Sequence, residues 1–374
     1  MAHHRGPKTT TQDLIFYYDT GNEKSFAGEP TTNLATNTPL YGGWPSSYAL
    51  IDSATKTFDF TTSSVEWGGP AAWTTFYYNV SDYTGQYVTI SAVVESFDET
   101  SGVFSFMWIG QTVDDQVYLG YSPEEDRNTK TTKTPERISW SGVIGTGGKV
   151  GITIWMNNGD GGQSGGVKVR FSNIQVEVKP HPTPFVNGTR SVTQGLIDLT
   201  RNETINLSSV SFDSNAQMSF DGTDDFIDTN FSPTSINNST IEAVVYRNTA
   251  TGRYEAIIQN NLDSDDALYV FPNGTLGFWP CAGSSLSVPT GQWSYVAVSY
   301  NGTTLTFCVN GTIQVVTTTC ADIMDWDFLR IGAAGSGDGE RWIGKIAIAK
   351  VYNRALTSSE LYQNYNAIKT RFGI

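Results

Sequence analysis

Between residues 293 and 311 the sequence leaves the backbone little choice. Trp293-Ser294-Tyr295-Val296-Ala297-Val298-Ser299-Tyr300 and Thr304-Leu305-Thr306-Phe307-Cys308-Val309 both alternate, and each run is followed by an Asn-Gly pair, Asn301-Gly302 and Asn310-Gly311. Alternation with period two gives a strand one apolar face, and Asn-Gly accepts the positive φ of a tight reversal. The same pattern recurs at residues 88–95, 151–156 and 167–171, with further turn pairs at Asp221-Gly222 and Asn273-Gly274. Short strands at this spacing predict an all-β chain, built as two jelly-roll β-sandwich domains. One short helix breaks the pattern at the C-terminus: Thr357-Ser358-Ser359-Glu360 reads as a capping box, Leu361, Tyr365 and Ile368 fall on one face, and Gly373 stands where a helix stops.

Charge narrows the partners. The 374 residues include 23 Lys+Arg against 37 Asp+Glu, a formal net charge of −14. Binding to nucleic acid is driven by neutralising phosphates, so none is expected as a partner, and an anionic membrane surface is equally disfavoured. No window approaches the roughly 18 apolar residues of a membrane span, so no membrane insertion is expected. The opening residues 1–11 are polar and lack the apolar stretch of a secretory signal. Three cysteines, Cys281, Cys308 and Cys320, are too few and too odd in number for a disulfide framework; the expectation is buried free thiols in a chain made and kept reduced in the cytosol.

Two breaks divide the chain. Lys179-Pro180-His181-Pro182-Thr183-Pro184 removes ladder donors and stiffens the backbone, and Gly28-Glu29-Pro30 ends the first strand-like run, Leu14-Ile15-Phe16-Tyr17-Tyr18.

Residues 183–374 resemble the laminin-G-like, concanavalin-A-like jelly rolls. The resemblance is carried by residues 219–227 (Ser219-Phe220-Asp221-Gly222-Thr223-Asp224-Asp225-Phe226-Ile227), by residues 293–302, by Val309-Asn310-Gly311 and by residues 344–356. A narrower resemblance is to virion proteins of cyanophage-like tailed phages. It rests on Arg5-Gly6-Pro7 with Asp19-Thr20-Gly21-Asn22-Glu23-Lys24-Ser25-Phe26, on Thr183-Pro184-Phe185-Val186-Asn187-Gly188-Thr189-Arg190-Ser191, and on residues 364–374. In that family the opening strand runs soon into a segment like Gly195-Leu196-Ile197-Asp198-Leu199. The resemblance therefore implies an N-terminal arm at 1–11, a strand at 12–30 that joins the C-terminal sandwich, and an inserted jelly roll at 31–182 that is similar to a carbohydrate-binding module.

The chemistry-bearing residues are sparse. Hydrolases on this fold place acid and base carboxylates on one strand face as Glu-X-Asp-X-X-Glu or Glu-X-Asp-X-Glu, a spacing absent here, and the histidines, His3, His4 and His181, fall in the arm and the linker. The protein is expected to be no enzyme. Trp155 must point away from a core that takes Ile152, Ile154 and Met156, and an outward tryptophan can stack on a sugar ring. Trp67 and Trp73, flanking Gly68-Gly69-Pro70, could do the same; the alternative is ordinary packing, with Trp67 and Trp73 capping the sandwich end and Trp155 against a neighbouring subunit. Asp221, Asp224, Asp225 and Asp228 form an oxygen-rich turn that could hold Ca2+, a cofactor that related jelly rolls often bind, or could simply make turn hydrogen bonds.

From the phage resemblance follows the leading expectation: a non-enzymatic structural protein on the surface of a tailed-phage virion, as capsid decoration or tail-fibre component, with other virion proteins as partners. It would be a homo-oligomer, made in the host cytoplasm without a signal peptide, with host-surface glycan as a further partner. The alternative is a receptor-binding tail adhesin for host polysaccharide; a glycoside hydrolase or lyase is a third reading.

Overall fold

Alternating segments become strands because their apolar halves can only be buried together, and the turn pairs become the reversals. A computed structural model describes residues 8–43, 46–62, 71–99, 103–112, 119, 122–132, 134–157, 167–232, 238–260, 267–318, 328–334 and 339–374. Asn310 and Gly311 hold φ of 48° and 81°, the geometry of a two-residue hairpin turn, and Cys308 stands opposite Ile313 across it. Space also demands this glycine: a Cβ there would lie 2.7 Å from the Tyr365 ring.

The chain opens with β1 (Leu14–Asp19). There follow β2 (Thr31–Thr32), β3 (Leu40–Gly43), β4 (Ser46–Asp52), β5 (Thr57–Thr62), β6 (Ala71–Asn79), β7 (Tyr87–Glu99), β8 (Val103–Gln111), β9 (Arg127–Lys130), β10 (Glu136–Val143), β11 (Lys149–Asn157), β12 (Val167–Glu177) and β13 (Thr189–Arg190). The second half carries β14 (Ile205–Asn206), β15 (Ser211–Phe212), β16 (Met218–Asp221), β17 (Ile227–Thr229), β18 (Ser239–Arg247), β19 (Glu255–Asn260), β20 (Ala267–Val270), β21 (Thr275–Trp279) and β22 (Ala282–Ser287). It ends with β23 (Trp293–Tyr300), β24 (Thr304–Val309), β25 (Thr312–Thr317), β26 (Leu329–Ile331), β27 (Ile343–Tyr352) and the helix α1 (Ser358–Phe372). The chain is all-β, with two jelly-roll sandwiches and one C-terminal helix.

Two compact units result. A central unit spans Pro30–Arg190 with Ser214–Ala216, and a split unit takes the residues before it, Ser191–Asp213 and Gln217–Ile374.

In the central unit two five-stranded sheets, ordered β10-β7-β12-β5-β4 and β3-β6-β11-β8-β9, enclose one core. Phe60 from one sheet stacks on Phe76 from the other at 3.8 Å between ring centroids, and Ile90, Ile152 and Phe171 are fully buried around them. The unit runs on past residue 182 for a local reason. Glu177, at the end of β12, is buried and accepts hydrogen bonds from the Thr31 hydroxyl (2.8 Å) and from the Thr183 amide and hydroxyl (2.9 and 2.7 Å). These bonds tie the proline-rich segment back, and β13 pairs with β2 to close the unit.

In the split unit an eight-stranded sheet packs on a seven-stranded one, β14-β17-β26-β19-β20-β21-β22. The larger sheet runs β15-β16-β27-β18-β23-β24-β25, and β1 also pairs with β27. Strands β1 and β16 lie end to end along one side of β27, with Asp19 opposite Ile348 and Phe220 opposite Gly344. Phe16, Tyr18, Phe220 and Trp342 fill the core. Helix α1 covers the outer face of the eight-stranded sheet with Leu361 and Ile368 against Val244, Tyr295 and Ile348. Thr357 and Glu360 form both bonds of the capping box, and Gly373 ends the helix at φ 69°.

Cys308 is buried and free, and burial pushes its thiol up to about 12. Cys281 corrects the expectation of reduced thiols, because it is disulfide-bonded; Cys320 lies outside the described residues. Among those residues no helix is long and apolar enough to cross a membrane.

Candidate functional site

The outer face of the sheet β3-β6-β11-β8-β9 is the surface that the sequence pointed to. Ile152 and Ile154 of β11 are fully buried, so Trp155 stands on the opposite face, half-buried. The neighbouring strand β8 sets Trp108 on the same face, opposite Thr153. The Trp108 and Trp155 rings lie 6.0 Å apart at 59°. The Arg127 guanidinium sits 4.4 Å from the Trp108 ring, held by a 2.7 Å bond to the Leu119 carbonyl. Beside the pair, the hydroxyls of Thr75 and Thr153 bond to each other at 2.5 Å in full burial. Trp73 stands directly opposite Trp155 in the register of β6 and β11, with its side chain outside the described residues. Trp67 also lies outside them. Sequence reasoning missed Trp108 and Arg127, although the alternation of Met107, Trp108 and Ile109 was there to find them.

The acidic turn is brought together only in part. Asp221, Asp224 and Asp225 each have a carboxylate oxygen within 4.8 Å of the others. Asp225 is buried and accepts the amides of Ser211 and Asp221, both at 2.7 Å. Asp221 accepts the Thr223 amide at 2.6 Å, and that bond is the main reason its carboxyl lies below the usual range. Asp228 is elsewhere, paired with Arg330 through two bonds of 2.7 and 3.0 Å. Calcium takes six to eight oxygens. The three carboxylates supply only part of that number, and Asp221 and Asp225 accept backbone amides in the manner of Asx-type turns.

A second aromatic surface lies on the outer face of the seven-stranded sheet. Leu268 and Val270 of β20, like Leu276 and Phe278 of β21, face the core, which leaves Tyr269, itself buried, and the exposed Trp279 on the other face. Tyr254 packs edge-to-face on Tyr269 (5.8 Å), Phe271 (5.2 Å) and Trp279 (5.6 Å). The Tyr269 hydroxyl lies 2.7 Å from Gln259 Oε1 and 2.6 Å from Glu340 Oε2. Trp279 is 38% exposed, whereas Cys281, two residues on, packs partly buried against the core.

The buried carboxylates are engaged elsewhere. Glu255 holds Arg247 at 2.7 and 2.8 Å. Glu242, beneath α1, takes the Tyr295 hydroxyl and the Asn364 amide, both at 2.7 Å, with Lys350 at 3.4 Å.

Fold and surfaces together define a β-sandwich protein with outward aromatic faces. Residues 221–361 match the family model of the concanavalin A-like lectin/glucanases superfamily, which accounts for less than half of the chain. No curated protein matches it. Among solved structures, domain 4 of a GH43 extracellular arabinanase from Geobacillus stearothermophilus, in complex with arabinotriose, is similar at 17% identity and TM-score 0.37, over 47% of this chain and 93% of that one. A Trypanosoma rangeli sialidase is similar at 15% identity and TM-score 0.35, over 47% and 31%. The botulinum neurotoxin serotype D binding domain is similar at 14% and TM-score 0.35, over 47% and 49%. The expectation of a structural virion protein, decoration or tail adhesin, is corrected here: the family model that the chain matches is one of lectins and glucanases.

Proposed function

We propose that the protein is a non-catalytic carbohydrate-binding protein, and that the central unit carries a glycan site on its outer aromatic face. The observation that supports this most is the Trp108–Trp155 pair beside Arg127. Two tilted indoles offer apolar faces to the C–H side of sugar rings, and a guanidinium held against one of them can bond ring hydroxyls. The net charge of −14 favours neutral glycans over polyanions. Each stack contributes on the order of 1 kcal/mol, so a single site binds weakly and gains from repeated display. Native electrophoresis through gels containing arabinan, xylan, mixed-linkage glucan or galactan tests the reading. Retardation of the wild type in at least one gel, reduced in Trp155→Ala at an unchanged melting temperature, is the expected result. Mobility unchanged in every gel, or release of reducing sugar, would overturn it.

A further inference from the structure

We propose that Lys350 and Asn364 become joined by an intramolecular isopeptide bond after folding, with Glu242 as the proton carrier, so that the split unit ties its C-terminal helix covalently to its sheet. The apolar face of α1 is interrupted by one polar residue: between Leu361 and Ile368, Asn364 is fully buried. It meets two charged groups that are nearly as inaccessible. Glu242 of β18 and Lys350 of β27 stand opposite each other in register, at 1% and 2% exposure. One carboxylate serves both neighbours. Glu242 Oε1 accepts the Asn364 side-chain amide at 2.7 Å, and Oε2 lies 3.4 Å from Lys350 Nζ. Tyr295 and Tyr352, both buried, and Tyr17, whose ring centroid lies 5.3 Å from Nζ, close around them. An amine, a carboxamide and a carboxylate enclosed by aromatic rings are the parts that an amide exchange needs.

Each group is placed for its part. A proton passes from Lys350 Nζ to Glu242, leaving a neutral amine and a neutral acid, which cost less to bury than the ions. The amine nitrogen attacks Asn364 Cγ, and negative charge gathers on Oδ1. That oxygen already accepts the Thr10 backbone amide at 2.7 Å, and a fixed N–H there stabilises the developing oxyanion. Glu242 then protonates Nδ2, the nitrogen it holds. The Cγ–Nδ2 bond breaks, ammonia leaves, and Glu242 takes the remaining proton from Nζ. The Nζ–Cγ bond replaces the one broken, so no oxidant or other reactant enters. The Tyr295 hydroxyl, 2.7 Å from Oε1, and the Tyr352 hydroxyl, 3.2 Å from Nδ2, keep carboxylate and amide oriented. The freshly folded chain relies on the Glu242–Lys350 salt bridge, because Asn364 reaches Glu242 only once α1 has docked.

Mass spectrometry of the reduced full chain, aged to constant mass, tests this. The wild type should weigh less than its sequence by one ammonia. Its tryptic digest should contain residues 346–354, uncut at Lys350, joined to residues 355–369. Lys350→Arg, which supplies no amine, should keep its full mass, whereas Asn364→Asp should lose water instead and reach the same product. Glu242→Gln should slow the loss by about a hundredfold; an undiminished rate there would overturn the proton-carrying role. A wild type at full mass, cleaved after Lys350, overturns the bond and leaves the network purely structural. So does an ammonia loss that maps to a single peptide, as a succinimide at Asn310-Gly311 would. The wild-type digest decides by itself, so a variant that fails to fold does not rescue the proposal.

Discussion

Two acidic side chains show how a residue's surroundings set its consequences. Glu242 and Lys350 are both nearly inaccessible, at 1% and 2% exposure. Removing one partner of a buried pair leaves an uncompensated charge, which costs about 3–5 kcal/mol. Lys350→Met should lower the urea stability of the split unit by that order, and Glu242→Gln combined with Lys350→Met should recover most of it. A single variant as stable as wild type would show that the pair is not coupled. Asp59 behaves differently. Hydrogen bonds from Arg170 (2.7 Å) hold its carboxyl down at about 2, with Lys168 2.8 Å away adding to the effect. An unfolded aspartate titrates near 3.9, so between the two values the unfolded chain binds more protons and stability rises with pH. The Asp59 contribution is therefore complete above about pH 4 and is lost as pH falls through about 2. Melting temperatures between pH 2 and 5 should fall less steeply in Asp59→Asn. At this scale the sequence was partly legible. Trp155 follows from its neighbours Ile152 and Ile154, whereas Asp228 was assigned to the acidic turn because its partner, Arg330, lies a hundred residues away and no local pattern announces it.

Elements differ in how local their causes are. Helix α1 could be read whole, because its cap, its apolar face and its terminating glycine lie within seventeen consecutive residues. The hairpin at Asn310-Gly311 was equally self-contained. Strand β1 was not: its alternation says that it is a strand, but the partner β27 is fixed only by the core that Phe16 and Tyr18 enter. The outward side of β21 was legible in principle from Leu276 and Phe278, yet Gly277 and Gly283, where a Cβ would meet the Phe271 ring, matter only once β22 lies alongside. Phe16→Ala should cost about 3–5 kcal/mol, as large-to-small core changes do. Denaturation followed by near-ultraviolet dichroism should show that loss in the split unit alone; a loss shared by the central unit would mean that the two unfold as one.

For the whole molecule, each unit has its own core, and a calorimetric scan should resolve two transitions. Wild type and Phe16→Ala compared in that scan should differ in one of them. The charge of −14 makes a further prediction. If aromatic stacking carries glycan retention, raising sodium chloride from 50 to 500 mM should leave retardation by a neutral polysaccharide nearly unchanged, because exposed charges are screened but stacking is not. A steep loss with salt would point to ionic recognition. Composition made the sign of this effect readable; the number and place of the aromatic faces required the folded sheets.

The pairing of β1 with β27 also imposes an order of events on the ribosome. Strand β1 is completed by β27, residues 343–352, and at 5–20 residues per second it waits roughly 15 to 70 s for that partner. Meanwhile the central unit, finished at Arg190 and closed by β2 against β13, has every strand it needs. The nascent chain thus carries a folded body in its middle and a bare apolar ribbon in front of it. Until β27 is made, Phe16 and Tyr18 lack the sheet that buries them.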